Sequence, residues 1–314
     1  MPYVERVGSR VAGTMVPVAE IGSSMGFTDA QVRLYERFLG LRNIAVARDE
    51  ELGDLLLGAA REALRGVDPK SVRHVVHAYT LQFTPPPRRH LLGEIQELLD
   101  LGHASSFGLT HQNCVAGLYA LKVARLLLRD EPAGAKVLVL TGDKVLSSLV
   151  RVLPDTTIMG EAASAFVVGN DPRGDRVAGS AIQVAGRFYR CLDLSEELRL
   201  EYKRFYPQAL EGVMRDAMRN AGIKGEDIAA IVPHNVNRMS WKGIARNLGI
   251  EGDKVYLDNV PKYGHCFASD PFLNLQSARR EGRIGPGDTV LMVGAGLGAS
   301  FAATVLETGE GVPE

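Results

Sequence analysis

An α/β fold assembled from two similar halves is what this sequence predicts, and three observations predict it. Short apolar runs that end in glycine alternate with longer stretches of helical periodicity. The order of these segments recurs about half a chain apart. Finally, 46% of the 314 residues are hydrophobic, enough to build a sizeable core in two lobes or one large domain.

Taken along the chain, apolar spacing predicts a helix over 51–64, and the run Val72-Arg-His-Val-Val76 after Asp68 predicts a buried strand. A long apolar helix is expected over 115–129, followed by strands at 137–140 and 165–169. The second half repeats the pattern: a helix over 195–220 with Pro207 as a kink or break, Asp227, and a strand at 228–232. A helix over 240–248 and strands at 289–294 and 300–306 complete it. The halves divide at 1–171 and 172–314. Alternation of this kind places functional groups at the carboxyl ends of the strands.

Composition excludes several functions. Lys and Arg number 36 against 37 Asp and Glu, so no chain-wide field holds nucleic acid or an anionic membrane. Three cysteines, Cys114, Cys191 and Cys266, do not resemble a secreted disulfide framework. The first twenty residues lack a signal peptide's apolar run, and no stretch is long enough to span a bilayer, so a cytoplasmic protein is expected.

Three residues invite chemistry. Cys114 stands in His111-Gln-Asn-Cys114-Val-Ala-Gly117 at a helix start, where the helix dipole favours thiolate; cysteine also packs there as a small hydrophobe. His234 follows a strand ended by Pro233, and the reading places it at the carboxyl end of a central strand. His265 follows Gly264 in a sharp turn. The spacing of these groups is not that of a zinc site, so no metal is expected. Cys266 is expected to pack, and Cys191 to be structural or incidental. Gly160-Glu-Ala-Ala-Ser-Ala165 needs small residues for close backbone approach. Gly294-Ala-Gly-Leu-Gly298 precedes a strand rather than a helix, which argues against a nicotinamide cofactor.

Five segments together resemble the thiolase superfamily, and most closely the type III ketoacyl-acyl-carrier-protein synthases and their acyltransferase relatives. They are Asn113-Cys114-Val-Ala-Gly117, Met159-Gly-Glu-Ala-Ala-Ser-Ala165, Pro233-His234-Asn-Val-Asn237, Tyr263-Gly-His265 and Val293-Gly-Ala-Gly296-Leu, in the family's order. The resemblance covers nearly the whole chain. It implies a five-layered αβαβα fold, a homodimer, no bound cofactor, and acyl-coenzyme A or acyl-carrier protein as substrate. Cys114 would take the acyl group, with backbone N–H groups of Cys114 and Gly296 as the oxyanion hole. His234 and His265 would then assist a decarboxylative Claisen condensation with a malonyl thioester in specialised, polyketide- or fatty-acid-like biosynthesis.

This sequence departs from the family in ways that open a second reading. Type III enzymes usually carry asparagine where His265 stands, and a histidine can act as a general base. Asn235-Val236 replaces the usual Gln-Ala. Acyl transfer to a hydroxyl or amine of a small molecule is therefore an alternative, as are hydrolysis of the acyl-enzyme and a non-catalytic partner subunit. Arg238, Lys242 and Arg246, four residues apart, are expected to form a basic stripe on the helix after His234. With Asn237 they are candidates for binding the donor or its carrier. Phe83, beside Pro85-Pro86-Pro87, is a candidate for shaping the acyl pocket.

Overall fold

A computed structural model describes residues 2–81, 90–239 and 241–311. Nine strands form one mixed sheet: β1 (Tyr3–Val11), β2 (Val72–Ala78), β3 (Ser105–Leu109), β4 (Lys136–Gly142), β5 (Ala162–Gly169), β6 (Asp175–Val184), β7 (Ala230–Pro233), β8 (Thr289–Gly296) and β9 (Ser300–Glu307). Their spatial order is β7-β8-β9-β6-β1-β5-β4-β2-β3. From the middle outwards the two sides match. On one side β1, β5 and β4 pair antiparallel and β4, β2 and β3 pair parallel. On the other, β6, β9 and β8 pair antiparallel and β7 runs parallel to β8, with a single parallel bridge from Ile231 to Val255 where a fifth strand would lie. The sides meet where β1 pairs with β6 at Tyr3 and Val4.

Strands β4, β5, β8 and β9 read as largely apolar runs because both their faces are buried. Along β4, Val137 and Val139 enter one core while Leu138 and Leu140 enter another. Val290 and Met292 of β8 share the first core, and Leu291 and Val293 face a third. Helices fill these three spaces. Leu55, Leu56 and Ala59 of α1 (Leu52–Ala63) cover the outer face of the first half-sheet, with α2 (Leu91–Leu98) beside them. Between the half-sheets lie α3 (Ala116–Leu127) and α6 (Asp270–Arg280). Phe272 of α6 stacks on Phe166 of β5 at 4.0 Å, and a side chain on Gly117 would strike Phe272 and the carbonyl of Ala268. Burial of a ring such as Phe272 contributes roughly 2–3 kcal/mol. The other outer face is covered by α4 (Glu196–Ala221) and α5 (Trp241–Asn247), through Leu210, Met214, Trp241 and Ile244. The result is the expected five-layered αβαβα arrangement.

Two expectations are corrected here. The helix α4 runs unbroken through Pro207 for 26 residues, from the Ser195 cap to Gly222 in a left-handed C-cap. Its buried face is concentrated after the proline, at Leu210, Val213, Met214 and Ala217, so packing outweighs one lost backbone hydrogen bond. The strand before His234, β7, is the outermost named strand on its side of the sheet, not a central one.

Candidate active site

The loop after β3 carries Cys114 to the start of α3 through two residues in left-handed backbone geometry, His111 (φ 68°) and Asn113 (φ 49°). Asparagine tolerates that region better than most residues. Its Nδ2 donates to the Leu297 carbonyl at 2.5 Å, tying the loop to the turn between β8 and β9. Gly296 ends β8 just before that turn: a Cβ there would fall 2.6 Å from the Gln112 carbonyl oxygen and 3.2 Å from the Cys114 nitrogen. Glycine therefore lets two backbones close around Cys114, which is 6% exposed. Met159 and Phe267 pack against the thiol, with Leu81 and Val145 alongside.

His265 is delivered by a turn locked from below. Its N–H donates to the Ile158 carbonyl, and its own carbonyl accepts from Gly160 N–H at 2.9 Å. A side chain at Gly160 would sit 2.0 Å from the Tyr263 carbonyl oxygen. So placed, His265 Nε2 lies 3.1 Å from Cys114 Sγ, and Nδ1 lies 2.5 Å from Asp270 Oδ2. Asp270 opens α6 and is fully buried. Its carboxylate also accepts from Cys266 N–H at 2.8 Å and from Asn235 through N–H at 2.6 Å and Nδ2 at 3.1 Å. Asn235 is held in turn by Asn274, whose Nδ2 donates to Asn235 Oδ1 and to the Pro233 carbonyl, both at 2.7 Å.

Asp270 completes a cysteine–imidazole–carboxylate line that the sequence does not single out. Its signal was present: a carboxylate five residues after His265, directly before Pro271 at a helix start, with asparagine at 235 in place of the usual glutamine. Residue 235 holds the Asp270 carboxylate through its backbone N–H, and the asparagine side chain adds a second donor, Nδ2.

The two histidines are in opposite states. Burial, and then the charge of His265, push His234 down to about 3. Its Nδ1 accepts from Ala295 N–H at 2.8 Å, which leaves the proton on Nε2. Burial also opposes charge on His265, but the Cys114 thiolate and the Asp270 carboxylate outweigh it and hold its pKa up at about 10. The ring centroids are 5.8 Å apart. The site thus offers a cysteine sulfur hydrogen-bonded to a cationic imidazole and, beside it, a neutral N–H donor.

Cys114, His234, His265 and Gly296 are therefore brought together. The other candidates are not. Asn237 donates to the Thr156 carbonyl at 3.4 Å and accepts from Met239 N–H at 3.0 Å. Arg238 lies in the loop before α5 and not on the helix, so the predicted stripe does not form: its N–H is bonded to the Leu39 carbonyl and its side chain crosses Gly40. Lys242 and Arg246 are on α5, with Arg246 exposed in its last turn. Phe83 lies outside the described residues. Arg238 instead borders a cavity of about 630 Å³ with Arg37, Arg42, Glu36 and Phe38.

Residues 218–308 match the family model described as 3-oxoacyl-[acyl-carrier-protein (ACP)] synthase III C terminal. The beta-ketoacyl-[acyl-carrier-protein] synthase III of Rhizorhabdus wittichii is 27% identical over 317 residues, which covers 95% of this chain and 97% of that protein. The chain is thus similar along its length to the type III ketoacyl synthases, and its C-terminal part matches their family model. Its fold matches that of ChlB3, an acyltransferase, with a TM-score of 0.86 at 22% identity over 99% of this chain and 98% of the other. It also matches the priming beta-ketosynthase of the R1128 polyketide pathway, with a TM-score of 0.81 at 24% identity over 98% and 96%. Within this ketoacyl-synthase-like frame, the carboxylate on His265 is the feature to be explained.

Proposed function

We propose that this protein transfers an acyl group from a thioester to a hydroxyl or amine, forming an ester or amide. The observation that carries this reading is the buried line Cys114–His265–Asp270. In the first half-reaction the Cys114 thiolate attacks the donor carbonyl, and backbone N–H groups of Cys114 and Gly296 receive the developing oxyanion. The departing thiolate takes the Nε2 proton of His265. Acylation removes the negative charge from Cys114, one of the two that hold His265 protonated. Neutral His265, still oriented by Asp270, then accepts the proton of the acceptor as its oxygen or nitrogen attacks the acyl-cysteine. The Cys114 thiolate leaves and the ion pair is restored. His234, neutral with its proton on Nε2, donates to an oxygen of the incoming substrate.

Decarboxylative condensation is the second reading. It is favoured by the proximity of His234 and His265, which can both donate to an enolate oxygen, and by the names of the curated relatives. For either reaction, the cavity bordered by Arg37, Arg42 and Arg238 suits the phosphates of coenzyme A or an acidic carrier protein. The proposal includes a homodimer, a cytoplasmic setting, no bound cofactor, and halves that divide at 171/172. No described helix is long and apolar enough to cross a membrane. Intact-protein mass spectrometry after incubation with a panel of acyl-coenzyme A and acyl-carrier-protein thioesters tests the shared first step. The protein gains one acyl mass and Cys114→Ala gains none; an equal gain in both would refute it.

A further inference from the structure

Asp143 is a buried carboxylate next to the site that neither half-reaction uses. It follows β4, is 2% exposed, and accepts backbone hydrogens from Thr80 at 2.9 Å and Leu81 at 2.7 Å through one oxygen, with a further contact to Thr80 at 3.2 Å through the other. Leu81 is one of the side chains packed on Cys114, Met159 and Phe267. We propose that Asp143 is a positioning residue: its ionised carboxylate pins the Thr80–Leu81 backbone and so holds Leu81 as a wall over the Cys114 thiol. This rests on Cys114 being the reacting group, as proposed above. Neutral acceptors hold backbone N–H groups about half as strongly as charged ones, so the wall depends on the charge.

Burial raises the Asp143 pKa to about 6, against the opposing effect of the Leu81 and Thr80 hydrogen bonds and the charge of His265. The proton is therefore bound below that pH and lost above it, and the hold on Leu81 is strong on the alkaline side. The other groups around it are fixed. His77 is bonded to the Gly142 carbonyl and is pushed down to about 4 by burial. Lys144 is bonded to the Glu50 carbonyl and Glu51, and Glu161 to Arg151 and Val145 N–H.

Alkylation of Cys114 by iodoacetamide, followed at the peptide level so that Cys191 and Cys266 are counted apart, reads the wall directly. It needs no acyl donor or acceptor, so its outcome is separate from the choice between ester formation and condensation. At pH 8, Asp143→Asn and Leu81→Ala are each expected to alkylate about three- to ten-fold faster than the unaltered protein. At pH 5, where Asp143 is already protonated, both ratios fall toward one. The double variant is expected to react no faster than Leu81→Ala alone, because both changes remove the same wall. An Asp143→Asn rate equal to that of the unaltered protein at pH 8, or a double variant whose rate is the product of the two effects, would overturn the proposal. So would a Leu81→Ala ratio that does not change with pH, a result that stands even without a folded Asp143 variant.

Discussion

Two imidazole rings less than 6 Å apart carry different charges at neutral pH, and their hydrogen-bond partners decide which. His234 Nδ1 faces a backbone N–H, which only a neutral ring can accept, whereas His265 Nδ1 faces a carboxylate, which favours the cation. The prediction at this scale follows from the partner. Asp270→Asn keeps an acceptor for Cys266 and Asn235 but removes the charge. With that support gone, His265 loses its proton at lower pH, so the alkaline limb of the Cys114 acylation profile moves down from about 10 toward neutrality. Turnover at pH 8 is expected to fall by about 10²-fold or more, the usual worth of an acid–base group. A pH–rate profile with its alkaline limb unmoved would mean that the carboxylate only supports the fold.

Elements place these residues through the backbone of turns. The turn that carries His265 is held by backbone bonds to Ile158 and Gly160, and the turn after Gly296 is tied by the Asn113 side chain to the Leu297 carbonyl. Gly160 is the position where this can be tested alone. Gly160→Ala puts a methyl group against the Tyr263 carbonyl and within 3.1 Å of Cys266 Sγ, with only backbone able to yield on one side. A loss of about 1–3 kcal/mol in denaturant-derived stability is expected. Because Tyr263 leads into His265, Cys114 acylation should fall beyond what the lost stability explains. Full activity at reduced stability would separate Gly160 from the site. This level was legible in the sequence at 160–165, where the small residues could be read as a place of close approach; at 294–298 the glycines could be read as a turn but not as a close approach. What was not legible was the helix limit at Trp241: the four-residue spacing of Arg238, Lys242 and Arg246 looks helical, but Arg238 is taken up by Leu39 and Gly40.

The molecule as a whole repeats one half-sheet pattern on either side of the β1–β6 seam, and the candidate active site lies where loops from the two sides meet. Cys114 comes from the first side; His234, His265 and Asp270 come from the second. The fold was readable because strands buried on both faces leave unbroken apolar runs, and because the recurrence of helix, Asp and strand is visible along the chain. The cysteine and histidines of the candidate site were readable because each stands in or beside a recognisable turn. Asp270 was not, because its role depends on three-dimensional partners, Asn235 and Cys266 N–H, that are 35 and 4 residues away. The central claim is that His265 and Asp270 direct the acyl group to an external hydroxyl or amine. The most direct measurement is to preload Cys114 with an acyl group, then offer the acyl-enzyme a malonyl thioester or a panel of alcohols and amines, following product and carbon dioxide. Discharge to an ester or amide without carbon dioxide is the predicted result; discharge only with the malonyl thioester, with carbon dioxide released and a ketoacyl product formed, would contradict it.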